Sequence, residues 1–358
     1  MPRLTLSTLP AALQWLLLLI CAGAVGQLLK LAHVPAALFL GPMLVAIGFG
    51  VNGATIRIPQ QLFRFGQGTV GMLVAHAMTL DVLLTALQTW QVMLFATVLT
   101  VLLSALVGLA AVRWGGMPGS TAAWGTAPGA ASAMVAMSED YGADARVVAT
   151  MQYVRVVCVV MVGALVSRLI GADSGGPAAV SAAAAATTPW LSLVGTLAAI
   201  AAGLLLGSRI PAGALLIPLV VGGALQLSGL LTIIVPGWML ALAYGAIGGY
   251  VGLRFDRATV AYVWRRLPAM IVTALVLILL CALSAWAIAR WMGKDFLSVY
   301  LATNPGGLDA MAIIAMDTHS DVGFVLALQT LRLFGVIVSG AFIARLIIRL
   351  TTRPAAGG

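Results

Sequence analysis

The stretch from Thr126 to Ile170 is written a second time from Thr303 to Ile347. Pro128-Gly129 recurs as Pro305-Gly306, Gln152 and Arg155 recur as Gln329 and Arg332, and Arg168 recurs as Arg345. The offset is constant, since 305 − 128 and 332 − 155 both give 177. The duplication extends upstream: Val34-Pro35-Ala36 parallels Ile210-Pro211-Ala212 and Pro42 matches Pro218, both at 176, while Gly71 matches Gly248 at 177 again. One single-residue gap reconciles the two registers. Nearly the whole chain is therefore two homologous halves, 1–172 and 187–350, joined by a linker at 173–186 and followed by a tail at 351–358.

What surrounds this repeat fixes the solvent. Hydrophobic residues make up 62% of the chain and charged residues 8%, and the mean hydropathy is +1.09. A soluble domain cannot hide that much apolar surface. Several runs reach about 20 residues with almost no charge, enough to cross roughly 30 Å of hydrocarbon as a helix. The alternating ten-residue segments of a membrane β-barrel are absent from the sequence. The chain reads as an all-α polytopic membrane protein with the lipid bilayer as a partner. Its net charge of +9 is a topology signal rather than a nucleic-acid footprint. The first apolar segment lacks a small-x-small cleavage site near Gly26 to Lys30 and reads as the first helix, not a signal peptide. Cys21, Cys158 and Cys281 each sit in an apolar run with no metal-binding spacing, and read as small buried hydrophobes.

The pattern predicts about ten spans, near 9–29, 34–52, 66–80, 83–112 and 145–168, then 190–208, 211–229, 236–253, 268–289 and 321–345. Five crossings per half is odd, so the second half enters from the opposite side and the two form an inverted repeat, a common plan for secondary transporters. Basic residues agree with this threading: Arg3, Arg57, Arg64, Arg113, Arg146, Arg209, Arg254, Arg257, Arg265, Arg266, Arg345, Arg349 and Arg353 fall on the side of both termini, which is then cytoplasmic, against Lys30, Arg290, Lys294 and Arg168 outside. Between the fourth and fifth span of each half lies a segment rich in small residues, 119–137 and 298–314, with Pro-Gly at its centre. Proline removes a backbone donor and glycine loosens the chain, so both segments read as re-entrant or broken helices. Such backbone is tolerated at membrane depth only inside protein or along a cavity.

Arg155 and Arg332 fall about ten residues into their spans, roughly 15 Å deep. An arginine at the bilayer centre costs about 2.5–3.5 kcal/mol on insertion scales, so it faces the bundle interior and has a partner. Two readings follow. The pair holds a carboxylate or other oxyanion through bidentate hydrogen bonds, or each is structural, in an ion pair or capping backbone carbonyls. Gln152 and Gln329 lie on the same helical faces and either complete an anion site or pin a neighbouring helix. A helix restarting after Pro128-Gly129 or Pro305-Gly306 presents free N–H groups that bind an anion, with Ser132, Thr126, Thr303 and Asn304 as neutral lining; otherwise both are tight loops packing small residues. Asp309 replaces Ser132 and either pairs with an arginine or carries a coupling proton, Na⁺ being weakly specified, or else lies exposed at the surface. Asp140, Asp144, Asp317 and Asp321 read as caps of the spans that follow them. His76 is the histidine well inside a span, and a hydrogen bond to a neighbouring helix is expected of it rather than a proton relay.

Ala127-Pro128-Gly129-Ala130-x-Ser132 together with Asn304-Pro305-Gly306-Gly307-Leu308-Asp309, each followed by Gln-x-x-Arg, resembles the AbrB family of bacterial membrane proteins, over almost the full chain. The matching positions are Pro128, Gly129, Arg155, Pro305, Gly306, Asp309 and Arg332. The resemblance implies an internally duplicated inner-membrane protein without a settled substrate. It also brings the labels of gene-expression regulator and ammonia monooxygenase. The second label requires clustered histidine or carboxylate ligands, which three scattered histidines do not supply. The expected function is secondary transport of a small anion, an organic acid, by alternating access. It needs no cofactor beyond a coupling H⁺ or Na⁺, and a homo-oligomer is compatible with it. The alternative is a membrane ligand-binding regulator that does not transport. An enzyme is disfavoured because no catalytic cluster is present.

Overall fold

The computed structural model describes residues 6–34, 36–77, 88–129, 134, 138, 143–170, 189–207, 213–333 and 335–336. The expected linker at 173–186, the tail at 351–358 and the Ile210-Pro211-Ala212 motif lie outside them. All regular structure among the described residues is helical. The first half holds α1 (Ala11–Leu31), α2 (Ala37–Val51), α3 (Gln60–Ala77), α4 (Trp90–Gly115), α5 (Gly119–Thr126) and α6 (Ala145–Leu169). The second half holds α7 (Pro189–Leu206), α8 (Gly213–Leu227), α9 (Gly237–Gly252), α10 (Arg257–Val263), α11 (Leu267–Met292), α12 (Phe296–Thr303), α13 (Leu308–Asp317) and α14 (Val322–Leu333).

Among the described residues, four helices are long and apolar enough to cross a membrane: α1, α4, α11 and, from Arg146, α6. The helices α2, α7, α8 and α14 are apolar but shorter. Large aliphatic and aromatic side chains stand exposed along the long helices: Leu19 at 65% on α1, Leu102 at 61% on α4, Leu279 at 59% and Trp286 at 58% on α11. Apolar faces of this size are stable against hydrocarbon, not water. The chain is a helical membrane protein.

The helices gather into two compact bodies, one of residues 1–86, 163–258 and 309–323, the other of 87–162, 259–308 and 324–358. Each body draws on both halves of the sequence, so the repeat boundary is not a domain boundary.

In the first body, α2 lies on α1 and α9, and α3 on α7, α8 and α9. Glycine sets these distances, because only a residue without Cβ lets two helix backbones touch. A Cβ on Gly71 of α3 would collide with the Leu215 carbonyl of α8, and one on Gly248 of α9 with the Phe39 carbonyl of α2. These two contacts join residues that match in the duplicated sequence. Pro42 and Pro218 sit inside α2 and α8, and a Cβ on Gly203 of α7 would come within 2.5 Å of the Pro218 ring.

In the second body, α4 packs on α5 and α11, and α11 on α12. The helices α4 and α11 each run 26 residues and end on a left-handed glycine, Gly116 at φ +63° and Gly293 at φ +65°. Each glycine stops the long helix and permits the sharp return into an eight-residue helix, α5 or α12. Val107 of α4 packs with Leu277 and Cys281 of α11. The seven-residue α10 lies between two expected spans; seven residues carry too few turns for a periodic signal.

The glycine contacts give a direct test. Gly71→Ala drives a methyl group into the Leu215 backbone and is expected to destabilise the protein by about 1–3 kcal/mol through overpacking. Gly223→Ala on α8 meets open space and is expected to be neutral or stabilising by up to about 1 kcal/mol. Thermal unfolding of both variants in detergent checks the pair; equal losses contradict this packing.

Candidate functional site

The breaks after α5 and α12 create the same problem twice. A helix end leaves its last carbonyls without N–H partners, and in an apolar interior no water replaces them. Both ends are solved by one arginine and one glutamine, from α6 in the first half and from α14, beyond α13, in the second. The Gln152 amide donates to the carbonyls of Trp124 (2.8 Å) and Ala127 (3.1 Å), and the Gln329 amide to those of Leu301 (2.8 Å) and Asn304 (3.1 Å). Arg155 Nη1 donates to the carbonyls of Thr126 (3.4 Å) and Ala127 (2.7 Å), and Arg332 Nη1 to those of Thr303 (3.3 Å) and Asn304 (2.7 Å). Arg155 Nη2 donates to Gln152 Oε1 at 2.7 Å, and Arg332 Nη2 to Gln329 Oε1. Every partner in the second set lies 177 positions after its equivalent in the first (Trp124 and Leu301, Ala127 and Asn304).

Pro128 and Pro305 shape the turn itself. Gly129 N–H donates to the Ala127 carbonyl at 2.9 Å, and Gly306 N–H to the Asn304 carbonyl at 2.8 Å. Each is a three-residue turn centred on proline, whose fixed φ near −65° suits it. Around the first break, Ala123 and Trp124 pack with Met134, Val148 and Val336.

Carbonyl capping is thus what the arginines visibly do, and a cation is well placed at a helix C-terminus. It does not exhaust them. Both side chains are buried, at 3% exposure, and Nε of each is buried without a hydrogen-bond partner. Neither has a carboxylate partner among the described residues; the Arg57–Asp256 contact at 3.7 Å lies elsewhere. The two guanidiniums are close enough to repel each other, and Cys281 lies within electrostatic range of both. The Tyr300 hydroxyl lies beside the Asn304 side chain. Neither that hydroxyl nor the Asn304 amide completes a well-formed hydrogen bond, although Asn304 and Tyr300 are fully buried. The second body therefore gathers two cations and several unsatisfied donors, each costing about 1–3 kcal/mol when buried.

Other expected site residues are placed differently. Asp309, in the first turn of α13, accepts from Gln67 Nε2 of α3 at 3.2 and 3.0 Å, so its partner is an amide and not an arginine. Ser132 lies outside the described residues. The Thr126 and Thr303 hydroxyls donate back to the Ala122 and Val299 carbonyls of their own helices, both at 2.9 Å. Asp144 caps α6 as expected, accepting from the N–H groups of Arg146 (3.1 Å) and Val147 (3.3 Å). Asp317 instead ends α13 and accepts from Ala36 N–H at 2.6 Å, fastening the left-handed residue (φ +56°) before α2. Asp140 and Glu139 lie outside the described residues. The His76 ring nitrogen Nδ1 is buried without a partner; the hydrogen bond there runs from Gln226 to the His76 backbone carbonyl at 2.9 Å. No group of three or more His, Cys, Asp or Glu side chains converges among the described residues.

Cys281, Tyr300 and Gln67 escaped the sequence reading. A signal for Cys281 existed: subtracting 177 gives Ser104, whose hydroxyl donates to the Thr126 carbonyl that Arg155 also binds. Cys281 itself is buried in the apolar cluster with Val107 and Leu277, as the sequence predicts of a small hydrophobe.

The chain matches the family described as "Transition state regulatory protein AbrB" over residues 38–348. The "Putative regulator AbrB" of Escherichia coli (strain K12) is 40% identical over 342 residues, covering 94% of this chain and 97% of that protein. The "Uncharacterized protein YhjN" of Bacillus subtilis (strain 168) is 27% identical over 354 residues, covering 90% of each.

Two outcomes follow from the capping geometry. Gln329→Leu removes the donors to Leu301 and Asn304 and is expected to destabilise the protein by about 1–3 kcal/mol, read by thermal unfolding. At the surface, burial pushes the Asp144 carboxyl up, but the Tyr262 hydroxyl, the Val147 and Arg146 N–H groups and the Arg266 charge together outweigh it and hold it below the usual carboxylate value. The stability it supplies is complete above about pH 3.9, the ordinary aspartate value, and is lost as pH falls through the depressed folded value. Asp144→Asn is expected to flatten the acid limb of the melting-temperature profile; an unchanged limb refutes that contribution.

Proposed function

This chain belongs to the AbrB family, and from that premise we propose that it is a secondary-transporter-like inner-membrane protein that moves a small organic anion by alternating access. The observation that carries the reading is the pair Arg155 and Arg332, buried, within electrostatic range of each other, without carboxylate partners among the described residues, and each with an idle Nε–H. A buried cation without a counter-ion is costly, and an incoming carboxylate relieves it through charge-assisted hydrogen bonds. The carbonyl caps hold each guanidinium in place beforehand, so the guest meets donors that are already oriented.

Alternating access draws support from the duplication. Two odd-numbered halves inserted in opposite senses, each with a broken helix, form the plan in which substrate sits at the repeat interface. Asp309 is the coupling group of this scheme. Its carboxyl has one amide as partner, which suits uptake and release of a proton better than binding of Na⁺, for which no further carboxylate converges among the described residues. The names of the family and of the Escherichia coli relative carry a second reading, a membrane regulator that binds the anion and does not move it.

Proteoliposomes separate the two. Labelled organic-anion uptake is expected in the wild type and is expected to fall at least about 30-fold in Arg155→Gln, which keeps an amide donor for the carbonyls but loses the charge; truncating one partner of a buried charged pair costs about 2–5 kcal/mol. Binding without uptake selects the regulatory reading. Full uptake by both Arg155→Gln and Arg332→Gln refutes the anion site.

A further inference from the structure

One end of the second body carries a cluster of cations and aromatic rings that contacts between separate helices assemble. Asp144, at the start of α6, accepts from the Tyr262 hydroxyl of α10 at 2.7 Å. The Arg146 guanidinium stands 6.0 Å from the centre of the same ring. From Tyr262 the chain runs through Trp264, Arg265 and Arg266 into α11, with the Leu267 N–H donating to the Trp264 carbonyl at 3.3 Å. The end of α4 arrives at the same place. A Cβ on Gly115 would lie 3.9 Å from Cβ of Ala269, so the turn that holds Arg113 and Trp114 meets the first turn of α11. The rings stand open, Trp114 at 81%, Trp264 at 65% and Tyr262 at 55%, and Arg113, Arg146, Arg265 and Arg266 are exposed with them.

The helix architecture does not require these cations, as the other half shows. Arg113-Trp114 recurs at 177 as Arg290-Trp291, but Arg265 and Arg266 stand where the first half has Gln88 and Thr89, and Arg146 where the second half has Gly323. A bias of positive charge toward one side of the membrane asks for cations somewhere on that side, not for cations gathered around exposed rings. Asp144 is already engaged. Its Oδ1 accepts from the Arg146 and Val147 N–H groups, and its Oδ2 from Tyr262. Among the described residues none of the four arginines forms an ion pair, the Arg57–Asp256 contact lying elsewhere.

We propose that this end of the second body binds an anionic phospholipid, with its phosphodiester on Arg146, Arg265 and Arg266 and the rings of Tyr262, Trp264 and Trp114 at headgroup depth. A guanidinium takes phosphate oxygens bidentately. Tryptophan and tyrosine settle at the membrane–water boundary, where an apolar body and a polar tip are both satisfied. Net charge decides which lipid. Phosphatidylcholine carries the same phosphate but brings its own cation among the arginines, where Asp144 has no oxygen to spare for it. Phosphatidylglycerol brings the negative charge alone. By the expected threading this end faces the cytoplasm, and anionic lipids of that leaflet attract basic segments at the membrane edge. The site stands apart from Arg155 and Arg332 and does not depend on the transport reading.

Native mass spectrometry of the purified full chain, titrated with dioleoyl phosphatidylglycerol and with dioleoyl phosphatidylcholine, tests this. The wild type is expected to bind phosphatidylglycerol more tightly. The double variant Arg265→Gln/Arg266→Gln, which installs polar neutral groups as at the matching Gln88 and Thr89, is expected to lose that preference, at about fivefold in affinity for each arginine removed. Arg146→Gln is expected to lower it by about fivefold. Arg290→Gln, in the matching Arg-Trp pair, is expected to keep it. The ratio of the two affinities is insensitive to partial loss of folded protein. Equal binding of the two lipids by the wild type, an unchanged ratio in the double variant, or an equal loss in Arg290→Gln overturns the site. Displacement of the bound lipid by inorganic phosphate assigns the cluster to a soluble anion and overturns the lipid as its occupant.

Discussion

Every part of this site follows from one constraint: a backbone carbonyl freed inside an apolar interior must be given a donor by the protein. Ending α5 and α12 after eight residues frees such carbonyls in two places. A neutral donor would satisfy one or two of them. A guanidinium reaches several at once, and Gln152 or Gln329 both fills the remainder and steers its neighbouring arginine through Oε1. The solution brings charge with it. Two cations are thereby fixed in the second body, held by structural bonds that leave part of their donor capacity idle. The bonds that cap the helices also fix the orientation of each guanidinium.

Much of this was legible because the sequence says it twice. A single Gln-x-x-Arg in an apolar run is ambiguous. The same tetrad at a fixed distance from a Pro-Gly break in both halves predicts a shared geometric task, and the hydrogen bonds of Arg155 and Arg332 repeat residue by residue. The helices α4 and α11 were equally readable, because long apolar runs closed by Gly116 and Gly293 have few alternatives.

The sequence concealed what depends on neighbours far away in the chain. Nothing local says that Asp309 meets Gln67, 242 residues away, rather than an arginine. Asp317 precedes an apolar span just as Asp144 does, yet it fastens Ala36 while Asp144 caps its own helix. Asp317 stands 177 positions after Asp140 rather than after Asp144, and the roles of Asp317 and Asp144 are set by which backbone N–H passes nearby. Cys281 looked like core because it is a small apolar residue in an apolar run; its place beside charge is visible only through Ser104 in the other half or through the fold. The division into two bodies was concealed as well, because each is assembled from both halves and no composition shift marks it.

The differences between the halves inform as much as their likeness. Where the repeat is kept, at Gln152/Gln329 and Arg155/Arg332, it serves the helix breaks. Where it is dropped, at Ala127/Asn304, Ala123/Tyr300 and Ser132/Asp309, the second half gains polar groups that the breaks do not need. The central claim is that the buried arginine pair receives an anion. A cryo-EM map of the protein in nanodiscs with a saturating small carboxylate such as propionate tests it most directly. The account predicts density for a carboxylate against Nε of Arg155 or Arg332, absent without the added acid. A map in which a protein carboxylate fills both places, with or without the acid, contradicts it.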